Sequence, residues 1–499
     1  MSPLHPLRAM PVAFIALLLV APASHAANGY VDAQIALSLE PGHSIEAVNA
    51  AWETQSLDEI PGENLYLVEY LGSGSLFQTI QDMRDDPGIA MAELNYYRET
   101  PESIRQMVIS STGLTFEEYA DQELTTRIGL DAAHECADGT GVLVAVLDTG
   151  IDAAHPAFAG RFSPNGYDFV DDDADPSETA NGIDDDEDTE IDEGYGHGTM
   201  VAGLVALVAP GATILVLRVL NDEGRSHAFV VAKAIHYARQ QGARVVNMSF
   251  GAPTASATIN AQVVAGYNEG IVMVAGAGNE NNATTPYYPG ALDETIMVTA
   301  LDAGDVKADF ADYHSVVDLS APGVAVASAY PGNDYAAASG CSFATPIVSG
   351  QAALVLDKVP WADPVTVASM VEGGVDGIYE IPENAPFNGL LGTGRVNLQT
   401  TVAATTAAPD GDPALPGMRA VPNPARGRVS LWVPGAPGSR AGVEIFDLAG
   451  HLVRRLEGPA PLVWTGRDEH DRRVPAGVYY ARPVSAGTAA PAIRIVWSR

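Results

Sequence analysis

The chain has 499 residues and a formal net charge of −37, with 47% hydrophobic and 18% charged residues. That length accommodates about three domains, and the balance of apolar and charged residues is that of a globular protein. The acidity excludes a nucleic-acid partner, because phosphate contacts need clustered cations, and lysine occurs only at 233, 307 and 358.

Residues 1–26 carry Arg8, an apolar run over 12–20 and the small residues Ser24 and Ala26. This is the order of a cleaved signal peptide, with an apolar core too short for a membrane span, and no later stretch is long and apolar enough to span. Residues 28–98 form a small α+β domain: strands near 31–39, 65–70 and 89–97, helices over 45–52 and 76–83. Residues 99–124 read as a linker with a processing region. From 125 to 401, apolar segments at 142–147, 213–219, 243–248, 271–275 and 295–300 alternate with small-residue helices. The alternation predicts an α/β fold with a mostly parallel sheet and helices on both faces. The Ala- and Thr-rich tract 402–414 reads as a second linker. Residues 415–499 hold short strands near 429–433, 443–447, 452–456, 478–482 and 493–497 between glycines and prolines, a pattern for an antiparallel β-sandwich. Cys136 and Cys341 make no disulfide framework; two buried thiols are expected rather than a single bridge.

Three stretches of the central region carry chemistry. Residues 142–150 form an apolar strand ending in Asp148-Thr149-Gly150, and Gly196-His197-Gly198-Thr199 opens a small-residue helix. Ser339-Gly340-Cys341-Ser342-Phe343-Ala344-Thr345-Pro346 opens another. A serine is a poor nucleophile alone, but a carboxylate, an imidazole and a hydroxyl in the chain order Asp, His, Ser are one solution to acyl transfer. Ser342 at a helix N-terminus lies where negative charge is favoured.

These blocks resemble those of the subtilisin-like serine peptidases. The resemblance implies that Ser342 is the nucleophile, His197 the base and Asp148 its orienting partner. Asn279, which closes Val274-Ala275-Gly276-Ala277-Gly278-Asn279, would hold the oxyanion together with the backbone N–H of Ser342. Ser249, Phe250 and Gly251 would pair with an extended polypeptide substrate, with Ala275, Gly276 and Ala277 on the opposite wall. Tyr287 falls where the family often has a small pocket-floor residue, so a shallow pocket that disfavours large aromatic side chains is expected, beside a Tyr288-Pro289 bond suited to the cis form. Two residues depart from the family pattern: Cys341 replaces the usual threonine before the nucleophile and Phe343 the usual methionine after it. The region 28–98 resembles the family's propeptide in size, position and element order, which implies an intramolecular inhibitor.

Between Asp148 and His197 lies an acidic insertion. Its closely spaced carboxylates repel one another and suit a hard cation, so Asp171, Asp173, Asp175, Asp184, Asp186, Asp188 and Asp192 are candidate calcium ligands; a solvated acidic loop is the other reading. No cofactor is expected for catalysis. Pro422-Asn423-Pro424, Asp447-Leu448-Ala449-Gly450 and Gly477-Val478-Tyr479-Tyr480 resemble immunoglobulin-like C-terminal modules, for which export sorting, surface attachment or plain stabilisation stay open. The expectation is a secreted serine endopeptidase made as a precursor. A catalytically inactive surface binding protein on the same fold is the alternative.

Overall fold

The computed structural model describes residues 29–104, 108–184, 191–407 and most of 419–498; the segment read as a signal peptide lies outside them. Nine strands form the central sheet. From edge to edge they are Val375–Asp376, Arg395–Val396, Leu319–Pro322, Thr295–Leu301, Val272–Gly276, Val245–Met248, Leu143–Asp148, Thr213–Arg218 and Tyr167–Asp168. Neighbours are parallel except at Val375–Asp376 against Arg395–Val396. The middle strands are buried on both faces, which is why they read as unbroken apolar runs.

The helices His197–Val208 and Cys341–Lys358 cover one face, while Ala228–Gln240 and Ala257–Asn268 cover the other. Every residue of His197–Val208 is buried, as are residues 341–356 of its neighbour, so both are apolar all round rather than amphipathic. They pack closely because Gly350 lacks a side chain: a Cβ there would lie 2.6 Å from Val208.

In the N-terminal antiparallel sheet the order is Thr54–Ile60, Leu65–Tyr70, Tyr30–Leu39, Ile89–Glu99 and Arg225–His227. The edge strand Thr54–Ile60 was not anticipated. Its sequence is mostly polar and its middle residues are exposed, so it lacks the apolar alternation that marks a half-buried strand. The last strand belongs to the central region, so one sheet joins the two. Glu93 caps a helix across this junction, accepting from Ser256 Oγ at 2.6 Å and from the backbone N–H groups of Ala257 and Thr258 at 2.9 Å each. Asn95 Oδ1 accepts from Phe229 N at 3.1 Å at the start of Ala228–Gln240. Free N–H groups at helix starts need such acceptors; here another structural unit supplies them.

The stretch 99–124 is more built than a linker. It holds a helical turn at Pro101–Ile104, a strand Val108–Thr112 and a helix Phe116–Ala120 with a Thr115–Glu118 capping box. The strand pairs with Asp334–Ser339, a partner some 220 residues away, which no local pattern signals. Likewise the helix Leu398–Ala407 takes in the first residues of the stretch read as the second linker. Alanine and threonine carry no amphipathic stripe there; burial of Val402, Thr401 and Thr405 holds the turns in place. Residues 408–418 lie outside the description.

The C-terminal region has sheets of three and five strands around one core containing Val429, Ile445, Trp464, Tyr479 and Trp497. Their strand pairs are antiparallel except Ala425–Arg426 with Ile493–Ser498. Both cysteines are free thiols, Cys136 exposed rather than buried and Cys341 buried. Among the described residues no helix is long and apolar enough to cross a membrane.

Candidate active site

Asp148 ends its strand at the carboxyl edge of the sheet, where α/β folds place their sites. Its Oδ1 accepts from Thr149 N at 2.9 Å and lies 2.6 Å from His197 Nδ1. The carboxylate accepts the Nδ1 proton, which leaves Nε2 as the working nitrogen of the imidazole. Both side chains are about 1% exposed. Ser342 is the second residue of its helix, and its side chain is fully buried.

The gap between His197 and Ser342 is occupied by Glu102, in the turn that follows the N-terminal sheet. Its Oε2 lies 2.7 Å from Ser342 Oγ and 3.3 Å from His197 Nε2. The serine hydroxyl also lies 3.0 Å from Ser249 O, but with one hydrogen it donates to one acceptor at a time. Glu102 Oε1 accepts from Asn279 Nδ2 at 2.9 Å, while Asn279 Oδ1 accepts from Cys341 N at 2.9 Å. That second bond fixes which way the amide faces, aiming its NH2 at the negative oxygen. Gly340 leaves room for the carboxylate: a Cβ there would be 1.9 Å from Glu102 Oε1.

Burial alone would depress the His197 pKa, but the charge and hydrogen bond of Asp148, joined by those of Glu102, raise it to about 10. With both carboxylates in place the ring is an imidazolium and has no lone pair with which to take a proton. Burial pushes the neighbouring Cys341 thiol up to about 12, so it stays neutral beside the serine, bonded to Gly278 O at 3.1 Å. Phe343 packs its ring 5.5 Å from that of His197. Both departures from the family pattern therefore face the interior.

The chain itself lies along the expected peptide groove. Glu99 exchanges two backbone bonds with Gly251, 3.1 and 3.3 Å, and Thr100 N donates to Gly224 O at 2.9 Å. On its other side the same strand pairs Arg98 with Ser226. At Pro101 the backbone turns into a helical turn, so a side-chain carboxylate rather than a peptide carbonyl meets Ser342. Gly251 and the Ser249 carbonyl thus line the groove, whereas the Phe250 side chain is buried in the core. Ala275 and Ala277 also point into apolar clusters, and Gly276 faces the serine helix, 3.2 Å from a Cβ position to Thr345 Oγ1.

Tyr287 is 4% exposed, and its ring stands between the two walls: Cβ atoms on Gly251 and Gly278 would lie 2.6 and 3.3 Å from it. Among the described residues its buried hydroxyl has no hydrogen-bond partner. The Tyr288–Pro289 bond is cis.

Of the candidate calcium ligands, Asp171, Asp173, Asp175, Asp184 and Asp192 lie among the described residues. Asp171 pairs with Arg218 at 2.7 Å, Asp173 accepts from Asp175 N, Asp175 from Ser177, and Asp192 from the backbone of Asn181 and Gly182. Asp186 and Asp188 lie outside the described residues. Among the described residues no group of three or more metal-binding side chains converges.

Sequence reasoning missed two carboxylates that matter here. Glu102 sits in no motif, and only the groove reveals it. Glu178, beside the acidic run, carries no periodicity, though its place between the Asp and His blocks is a weak signal.

The profile described as the Subtilase family, peptidase S8, matches residues 139–376. Thermitase from Thermoactinomyces vulgaris is 38% identical over 242 residues, which are 46% of this chain and 81% of that protein. The thermophilic serine proteinase of Bacillus sp. strain AK1 is 32% identical over 356 residues, covering 67% of this chain and 80% of that one. Fervidolysin from Fervidobacterium pennivorans, a keratinolytic enzyme related to subtilisin, superposes with a TM-score of 0.64 at 23% identity, over 92% of this chain and 71% of its own.

Proposed function

Since the chain belongs to the subtilase family of serine peptidases, we propose that it is a secreted endopeptidase whose precursor is held inactive by its own residues 28–104. Support for the catalytic roles comes from the 2.6 Å contact between Asp148 and His197 and from the single oxygen of Glu102 that touches both His197 and Ser342. With Glu102 withdrawn, one of the two carboxylates leaves the ring and His197 returns toward its neutral form. Ser342 Oγ then adds to the substrate carbonyl as its proton passes to His197 Nε2, and Asp148 stabilises the imidazolium without taking the proton. The oxyanion takes the place now held by Glu102 Oε1, beside Asn279 Nδ2. His197 returns the proton to the leaving amine, the acyl-enzyme forms, and water reverses the sequence.

The groove bonds of Glu99 and Thr100 are main-chain bonds, so affinity for extended polypeptide carries little sequence preference. Selectivity falls to Tyr287, which fills the slot for the side chain before the scissile bond and favours small residues there. Export rests on the 1–26 pattern. Calcium has no part in the chemistry; a structural ion held by the acidic insertion would raise the melting temperature, and a melting temperature unchanged by chelator would exclude it.

The observation that carries the reading is that His197, backed by Asp148, and Ser342 meet at the one carboxylate of Glu102. A fluorophosphonate probe tests it: processed, folded protein becomes labelled on Ser342, whereas absent labelling would leave the fold as a binding scaffold.

A further inference from the structure

The geometry points to Glu178 as a positioning residue that locks the strand bearing Asp148 to the helix bearing His197. This rests on the peptidase reading above and adds a residue to it. Glu178 Oε1 accepts from Thr149 Oγ1 at 2.5 Å and from Gly196 N at 2.7 Å, and Oε2 accepts from Thr199 Oγ1 at 2.5 Å. Thr149 follows Asp148 directly, whereas Gly196 and Thr199 flank His197. The hydroxyls pass the connection on: Thr149 Oγ1 accepts from Gly198 N and Thr199 Oγ1 from Asp152 N, each at 2.9 Å. One carboxylate thereby closes a ring of bonds around the 2.6 Å Asp148–His197 contact without touching either side chain.

A carboxylate suits this place because each of its three neighbours donates a hydrogen, and ionised acceptors make the stronger bonds. Glutamine would turn an NH2 group toward a donor. The groups that face Glu178 are Asp148 across Thr149, Asp152, and the phenols of Tyr195 and Tyr330. Burial raises the Glu178 pKa to about 7, with Asp148 adding to the effect and the donors opposing it.

The test compares the processed wild-type chain with Glu178→Gln on a peptide substrate. The variant loses about tenfold in kcat with KM within about twofold, as expected for misplaced catalytic groups. Thr149→Val, which deletes one donor and leaves the carboxylate, reproduces the kcat loss, and Thr149→Ser restores it. Active wild type with unchanged kcat in Glu178→Gln would overturn the inference. If Glu178→Gln fails to fold, an unimpaired Thr149→Val overturns it equally. An inactive, unlabelled wild type would instead bring down the peptidase reading.

Discussion

Ser342 Oγ donates to Glu102 Oε2 at 2.7 Å, so the proposed nucleophile is bound to an acid of the same chain. The acid also helps hold His197 in its protonated form and occupies the amide of Asn279. In the full-length Glu102→Ala chain the fluorophosphonate labels Ser342 at least about tenfold faster, since a charge-assisted bond of this kind contributes on the order of 1.5–3 kcal/mol. Equal initial rates would show that the groove strand alone blocks the site.

The same contact carries a pH signature. His197 has its pKa raised to about 10 in the folded full-length chain, so the stabilisation from its ion pairs is complete below the ordinary histidine value near 6.5 and is lost as pH rises through about 10. Probe labelling of the unprocessed chain therefore increases from neutral to alkaline pH, more steeply than in Glu102→Ala.

His227 works in the opposite sense. Asn95 Nδ2 donates to its Nδ1 at 3.0 Å, which requires that nitrogen to be unprotonated. Burial lowers the pKa to about 4, with Asp58 pulling the other way. Between pH 4 and about 6.5 the separated form binds more protons than the docked one, so the stability His227 supplies is present above about 6.5 and lost as pH falls through 4. In the full-length Ser342→Ala chain the melting temperature falls over that window, and His227→Gln flattens the dependence. Parallel curves for the two proteins would refute it.

Asn279→Ala lowers kcat by about 10²–10³, the range set by the loss of such a donor in a subtilisin, with little change in KM. A change confined to KM would remove Asn279 from the oxyanion site.

Tyr287→Gly empties the slot between Gly251 and Gly278. Burying an aromatic side chain there contributes about 1.5–3 kcal/mol. The variant therefore gains at least about tenfold in kcat/KM for phenylalanine before the scissile bond relative to alanine. An unchanged ratio would mean that the substrate side chain lies elsewhere.

Much of this protein was legible in its residues because local patterns carried it. Unbroken apolar strands announced a sheet covered on both faces, and Asp148, His197 and Ser342 each sat in a short block whose glycines and small residues fix the local backbone. Polar edge strands such as Thr54–Ile60 lack that pattern, and Val108–Thr112 depends on a partner hundreds of residues away. The acidic insertion read as a cation site from its composition; its local pattern did not show that Asp171 pairs with Arg218 or that Asp192 accepts from the backbone of Asn181 and Gly182. Identity and order of the reactive groups belong to the sequence. Which acid fills the gap between them, which one braces them from behind and what stands in the substrate slot were decided by folding, because Glu102, Glu178 and Tyr287 matter only through distances to residues far along the chain.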